Sequence, residues 1–277
     1  MLNKVILVKI GGSTLGSHDT TIEDIVKLQK EGKSVVVVHG GGALITEWLK
    51  KQGVATKFVQ GERVTDKPTL EVATAVLAGL VNKDIVASIN GLGGKAVGIS
   101  GVDGNLIEGK IGDKEKGYVG TTVRVNTGIL EALTGAGFVP VIAPIGINVV
   151  DRTPDAPPTL NFNADVVAGE IAAAIGAERL IFLTDVPGVN DKSGKLLPRL
   201  SPVEAEALIT SGVASGGMIP KIRACLTALS TTHSAGSFGL AQDKSGQAST
   251  TCIIDGRQPH ALLNETEGKG TGTVIGK

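Results

Sequence analysis

SVVVVHGGGALITEWL, residues Ser34–Leu49, is the stretch from which the fold is read. Val35–Val38 is an unbroken β-branched run, the pattern of a strand buried on both faces. Gly40, Gly41 and Gly42 follow at once, and Ala43–Leu49 then reads as the opening turns of a helix. A strand, a glycine turn and a helix make an anion site. Glycine lets the backbone come close to a ligand, and the N–H groups that open the helix have no intrahelical acceptor. The same residues would also serve as a tight turn with no ligand. Two named motifs are excluded. Gly40-x-Gly42-x-x-Ile45 lacks the third glycine of a dinucleotide fingerprint, and G-x-x-x-x-G-K-[ST] occurs nowhere. The cradle is one for phosphate or carboxylate of another kind.

Outward from this unit, strands alternate with helices. Lys4–Ile10 reads as a first strand closed by Gly11-Gly12-Ser13, and Thr21–Glu31 as a helix ending at Gly32. Phe58–Asp66, FVQGERVTD, is a polar, turn-rich segment before a long helix over Pro68–Asn90 with a wide apolar stripe. Short strands are expected at Lys95–Ser100 and Asn105–Lys110, a helix at Ile129–Ala136 and a strand at Pro140–Pro144. Asn161–Ile175 opens as Asn-Phe-Asn-Ala-Asp and continues as an Ala-rich helix to Gly176. The strand Leu180–Leu183 is closed by Thr184-Asp185-Val186-Pro187-Gly188. Helices at Pro202–Ile209 and Lys221–Ser230 and strands at Cys252–Asp255 and Gly272–Ile275 complete the pattern. The fold class is α/β, an open, mainly parallel central sheet with helices on both faces. A division into 1–176 and 177–277 is expected near Gly176.

Composition narrows the function classes. The 277 residues are 42% apolar, enough for one large or two modest cores. Lys plus Arg and Asp plus Glu are both 27, so bulk charge offers nothing to a nucleic acid, and 3% aromatics supply no base-stacking platform. Two cysteines, Cys225 and Cys252, do not make a disulfide scaffold. Lys4 and Lys9 interrupt the apolar start, so no signal peptide is read, and no uncharged run is long enough to span a bilayer. The expectation is a cytoplasmic protein with no membrane or nucleic-acid partner.

In such a sheet, ligands sit at the carboxyl ends of the strands. There the sequence places Lys9 to Gly12, His39 to Gly42, Asn161 to Asp165 and Thr184 to Gly188. Lys221 reads as lying at a helix N-terminus, where the dipole disfavours a cation unless an anion is nearby. A lysine pointing into solvent is the alternative. Phosphoryl transfer fits this inventory, because it demands positioning and charge stabilisation rather than covalent work. A carboxylate acceptor is already ionised at neutral pH and needs no general base. The four histidines are scattered, with no zinc-ligand spacing, and His39 reads as a hydrogen-bonded structural residue.

Taken together, K-I-G-G-S at Lys9–Ser13, V-V-V-V-H-G-G-G at Val35–Gly42, G-E-R-V-T-D at Gly61–Asp66 and N-F-N-A-D at Asn161–Asp165 resemble the amino acid kinase family. L-T-D-V-P-G-V at Leu183–Val189, G-G-M-I-P-K at Gly216–Lys221 and I-I-D-G-R at Ile253–Arg257 continue the likeness in order. Within that family the chain is most similar to the branch acting on N-acetyl-L-glutamate. The resemblance implies an α/β/α sandwich and phosphorylation of that substrate's side-chain carboxylate by ATP, with Mg2+ carried by the nucleotide, in arginine biosynthesis. It implies that Lys9 and Lys221 stabilise the transition state and that Asp165 organises them. Gly41 and Gly42 fall on substrate-contacting glycines, Gly11 and Gly12 on phosphate-contacting ones, and Arg63 on the arginine that pairs with the α-carboxylate. Asn161 falls on a substrate contact, with Asn163 a further candidate. Thr184, Asp185, Val186, Pro187, Gly188 and Val189, and then Val213, Ala214 and Ser215, fall on nucleotide-binding turns. The acceptor is expected on the N-terminal half and ATP on the C-terminal half.

A relative that phosphorylates a carrier-linked aminoadipate or glutamate remains an alternative, against which R-V-T-D argues. So does a non-catalytic amino-acid-binding regulator, against which both lysines and Asp165 argue. A homodimer through the Pro68–Asn90 helix is expected. Weak or absent arginine inhibition is also expected, since the first strand begins close to Met1 and leaves no room for an additional N-terminal helix. Ser230–Thr251, rich in Ser, Thr, Gly and Ala, is expected to be a loop on the face away from the chemistry.

Overall fold

The valine run of Val35–Val38 becomes an inner strand of an eight-stranded sheet whose order is β12-β14-β13-β11-β1-β2-β8-β5. The strands are β1 (Ile6–Ile10), β2 (Val35–His39), β5 (Ala96–Ser100), β8 (Val139–Ala143), β11 (Arg179–Thr184), β12 (Arg199–Leu200), β13 (Thr250–Asp255) and β14 (Thr273–Ile275). Every neighbouring pair is parallel except β13 with β14. The computed structural model describes residues 4–11, 20–59, 62–151, 153, 156–230 and 248–276.

Alternation along the central strands divides the apolar residues between two cores. Leu7, Val36, Val38, Leu180 and Phe182 join one, with α5 (Gly128–Gly135), α6 (Ala164–Ile175), α7 (Pro202–Thr210) and α8 (Met218–Leu229). Ile6, Val8, Ile10, Val35 and Val37 join the other, with α1 (Thr21–Lys30), α2 (Gly42–Lys51), α3 (Lys67–Thr74), α4 (Asn82–Gly91) and α9 (Ala261–Thr266). A period of two in a strand covered on both faces dictates this split.

Helices α3 and α4 are one continuous element, Lys67–Gly91, joined by a π-helical stretch at Ala75–Val81. It starts where Asp66 accepts from the backbone N–H of Thr69 at 3.0 Å, with Pro68 in the first turn. The element is long and apolar enough to cross a membrane by length and composition. Here Val72, Val76, Leu77, Ile85 and Ile89 bury one of its faces in the second core. The π-helical turn approaches the glycine turn after β2 so closely that a Cβ on Gly41 would lie 2.7 Å from Leu77 Cδ2.

A second, four-stranded sheet was not expected. Its order is β10-β9-β6-β7, from β6 (Ile107–Ile111), β7 (Gly120–Val125), β9 (Ile145–Asn148) and β10 (Thr159–Asn161). The strand expected at Asn105–Lys110 is β6, and it belongs here rather than to the central sheet. A hairpin of β3 (Phe58–Val59) and β4 (Glu62–Arg63) lies within the segment read as turn-rich. The sheet's shape is set by one ring. Cβ atoms on Gly109, Gly120 and Gly146, from three different strands, would all come within 2.8 Å of the Phe162 ring. Phe162 therefore seats in a socket that only glycine can line, which fixes the segment between β10 and α6.

Helix α8 begins at Met218, three residues before the expected start, with Pro220 in its first turn. Gly12 and residues 231–247 of the expected loop lie outside the described residues. The flanks of that loop, the end of α8 and the start of β13, are at the amino ends of the parallel strands, where Ala248 N–H donates to the Ala228 carbonyl.

Candidate active site

β1 lies between β2, which leads to one side of the sheet, and β11, which leads to the other. The crevice beyond its carboxyl end is where such a sheet accepts a ligand. Three charged side chains meet there. Lys9, the fourth residue of β1, is 6% exposed and its Nζ lies 2.7 Å from Asp165 Oδ1. Lys221, in the first turn of α8, donates to Asp165 Oδ2 at 3.0 Å. One carboxylate thus holds two ammonium groups from opposite ends of the chain.

The local structure explains how Asp165 comes to be there. Asn163 caps α6, its Oδ1 accepting from the N–H groups of Asp165 at 2.8 Å and Val166 at 3.3 Å. Asp165 stands in the first turn, where the helix dipole favours an anion. Burial works to raise its pKa, but the charges of Lys9 and Lys221 outweigh burial and hold the carboxyl below its usual range. Burial, with the Lys221 charge added, pushes the Lys9 ammonium down, and Asp165 opposes that shift. The cluster carries two cations against one anion, so an incoming anion is favoured.

A cavity of about 200 Å³ opens from Lys9 and Asp165. Gly41, Gly42, Arg63, Asn161 and Asn163 line it, beside an apolar wall that includes Ile45, Leu77 and Phe162. Arg63 is 9% exposed, and its Nη2 donates to the Gly42 carbonyl at 2.9 Å and to Thr46 Oγ1 at 2.7 Å. Its Cζ lies 4.8 Å from the Phe58 ring centroid. Nη1 is buried and reaches no acceptor. A buried guanidinium nitrogen without a partner is costly, and a carboxylate in the cavity would relieve that cost. Asn161 donates from Nδ2 to Thr65 Oγ1 at 3.2 Å.

The described nucleotide candidates lie outside this cavity, along the adjoining carboxyl edge. The Gly11 N–H donates to the Leu183 carbonyl at 3.2 Å, which joins the turns after β1 and β11. Thr184 ends β11 with its hydroxyl 2.8 Å from the Val186 carbonyl oxygen. Asp185, Val186 and Pro187 are exposed, while Gly188 and Val189 turn inward, and Val189 N–H donates to Thr273 Oγ1 at 2.8 Å. Val213, Ala214 and Ser215 connect α7 to α8 just before Lys221. Asp185 is close enough to raise the Lys9 pKa by its charge.

His39 is fully buried. Its Nδ1 donates to the Gly40 carbonyl at 2.9 Å and its Nε2 accepts from Asn82 Nδ2 at 3.2 Å, the arrangement of a neutral ring. Burial pushes its pKa down to about 4, so it stays neutral at working pH. Asn82, at the junction of the π-helical turn with α4, also donates to the Val141 carbonyl at 2.9 Å. No local pattern marks Asn82, because its partners lie on separate strands. Thr46, Phe58, Glu62, Lys116 and Phe162 were equally unassigned. Glu62 and Phe162 stood inside quoted motifs, and that was their only signal.

The fold and this site define a phosphotransferase-like α/β protein, and the chain belongs to the amino acid kinase family, whose description matches residues 4–234. It is 47% identical over 276 residues to the acetylglutamate kinase of Dehalococcoides mccartyi strain CBDB1, covering 99% of this chain and 96% of that one. It is 44% identical to the acetylglutamate kinase of Cereibacter sphaeroides strain ATCC 17029, covering 98% and 87%. Among solved structures, smu.665 from Streptococcus mutans UA159 superposes with a TM-score of 0.77 at 26% identity, over 98% of both chains.

Proposed function

We propose that the protein transfers the terminal phosphoryl group of ATP to the side-chain carboxylate of N-acetyl-L-glutamate, giving an acyl phosphate in arginine biosynthesis. The observation that carries this reading is the unpartnered Arg63 Nη1, buried in the same cavity as Lys9 and Asp165. A cavity with a guanidinium at one side and an ammonium at the other suits an acceptor with two carboxylates, one held and one phosphorylated. The name of the relatives supports the same acceptor.

In this reading Arg63 binds the α-carboxylate, and Asn161 and the Gly41 and Gly42 backbone orient the substrate, with Asn163 beside them. An oxygen of the side-chain carboxylate attacks phosphorus as the bond to ADP breaks, and the electron pair leaves on ADP. No proton moves, so no base is needed. Lys9 and Lys221 neutralise the equatorial oxygens, and Asp165 keeps the two ammonium groups where that charge develops. Gly11 and Gly12, Thr184–Val189 and Val213–Ser215 hold the nucleotide. Apart from Gly11 and Gly12 at the seam, residues 1–176 serve the acceptor and 177–277 the nucleotide, the two joined by the pairing of β1 with β11. Among the described residues no three His, Cys, Asp or Glu side chains stand together as a metal site, and both Asp165 oxygens are on lysines. In this reading Mg2+ arrives on the nucleotide's phosphates, as the family resemblance implies.

We further place the protein in the cytoplasm, without membrane or nucleic-acid partners, as a homodimer through the helix Lys67–Gly91, where Leu80 is 39% exposed. Light scattering at micromolar concentration is expected to give twice the chain mass, and Leu80→Glu to lower it; a monomeric wild type refutes the dimer. The function is tested by ADP release over N-acetylglutamate, glutamate, aspartate, N-acetylaspartate and carbamate. Turnover with N-acetylglutamate is expected to exceed the others. Turnover with another acid and none with N-acetylglutamate overturns the reading.

A further inference from the structure

Glu62 belongs to the β4 strand of the hairpin that presents Arg63, and it lines the cavity. Its carboxylate has two partners from two other parts of the chain. Oε2 is ion-paired with Lys116 Nζ, in the 3-10 turn Lys114–Lys116 between β6 and β7. Oε1 accepts from Asn163 Nδ2 at 3.4 Å. The pair is partly enclosed, with side-chain exposures of 14% for Lys116 and 29% for Glu62. Backbone bonds run the same way: Thr65 N–H donates to the Lys116 carbonyl at 2.9 Å, and Tyr118 N–H to the Thr65 carbonyl at 2.7 Å.

Asn163 is the pivot. Its Oδ1 is committed to the N–H groups that open α6, so its Nδ2 must point away from the helix, and Glu62 receives it. The residue before Arg63 therefore touches the cap of the helix that carries Asp165. We propose that Glu62 is a positioning residue for the acceptor: with Lys116 it ties the Arg63 hairpin to the Asn163 cap, and Lys116 screens the Glu62 charge from the acceptor carboxylates. The second clause follows from sign. A cavity built for a dianion cannot hold an unscreened carboxylate beside its guanidinium without repelling the ligand.

This inference rests on the proposed acceptor, and its consequences are unsymmetrical. Glu62→Gln leaves one acceptor oxygen for two donors, so it loosens the tie, and it removes the negative charge. It is expected to raise the KM for N-acetylglutamate a few-fold while kcat and the KM for ATP stay within about twofold. Lys116→Met leaves Glu62 charged and unscreened, so the same KM should rise by about tenfold or more, the factor that one charge-assisted hydrogen bond supplies. The double variant should fall back to the level of Glu62→Gln. Lys116→Gln gives the same comparison if Lys116→Met fails to fold, with urea midpoints as the control. A Lys116→Met effect no larger than that of Glu62→Gln, or a double variant worse than either single one, overturns the screening.

A readout that needs no substrate separates this idea from the function. In ligand-free Glu62→Ala, which leaves neither Lys116 nor Asn163 an acceptor there, amide exchange should quicken both at 62–66 and at 163–167. Faster exchange in both segments supports the tie even if N-acetylglutamate proves to be the wrong acceptor. Unchanged exchange at 163–167 refutes the tie even if it proves right.

Discussion

Asp165→Asn is the sharpest test of the lysine cluster. The substitution keeps the side chain's size and removes its charge. In the wild type the carboxylate oxygens lie 2.7 Å from Lys9 Nζ and 3.0 Å from Lys221 Nζ. An amide presents one oxygen and one NH2 group, and the NH2 cannot accept from an ammonium. One lysine must therefore leave its position. Burial already lowers the Lys9 pKa, and the variant removes the charge that opposes this shift. Loss of one preorganised donor at developing charge costs about 10²–10³ in kcat, and that is the expected drop. The pH profile gives a second signature. Burial without the opposing carboxylate pushes the Lys9 ammonium further down, so the residual kcat should begin to fall at a lower pH than in the wild type as pH rises. The assay is ADP release at saturating substrates, with the folded fraction taken from urea unfolding. A kcat within about fivefold of wild type, or a residual profile that falls no earlier than the wild type's, refutes the idea that Asp165 sets the two ammonium groups.

Two further outcomes follow from the same geometry. Arg63→Lys should raise the KM for N-acetylglutamate about 10- to 100-fold with kcat little changed, since a point charge cannot both reach Gly42 and Thr46 and offer a second nitrogen to a carboxylate; an unchanged KM would mean that Arg63 does not hold the acceptor. His39 is held neutral, its pKa pushed down from 6.5 to about 4 by burial, so its contribution to stability is full above about pH 6.5 and is lost as pH falls toward 4. The shift corresponds to about 3 kcal/mol. Urea unfolding between pH 7 and 4 should show the wild type losing about that much more than His39→Gln, and parallel curves would sink the assignment.

The sequence by itself determined the parts whose cause is local. Val35–Val38 had to be a two-faced strand, and the glycines after it had to be a turn, because β-branched runs and missing side chains act within a few residues. The helix of Asp165 was legible for the same reason, from its Ala-rich run and its stop at Gly176, which adopts a left-handed φ of 59°. Lys9, Asp165 and Lys221 were legible as residue types in suggestive places. Helix starts were less so, since at Met218 no side chain caps the first turn to announce it.

The tertiary structure decided what depends on which strands become neighbours. β7 is half exposed and β10 is three residues long, so neither carries a periodic signal strong enough to reveal the second sheet. The socket of Phe162 exists only where Gly109, Gly120 and Gly146 converge from three strands, and no local pattern encodes that convergence. The same holds for Glu62, whose partners Lys116 and Asn163 lie 54 and 101 residues away. Burying both faces of β1 and β2 fixes the order of the sheet. That order then sets which side chains share one small cavity, and hence which charges must balance there.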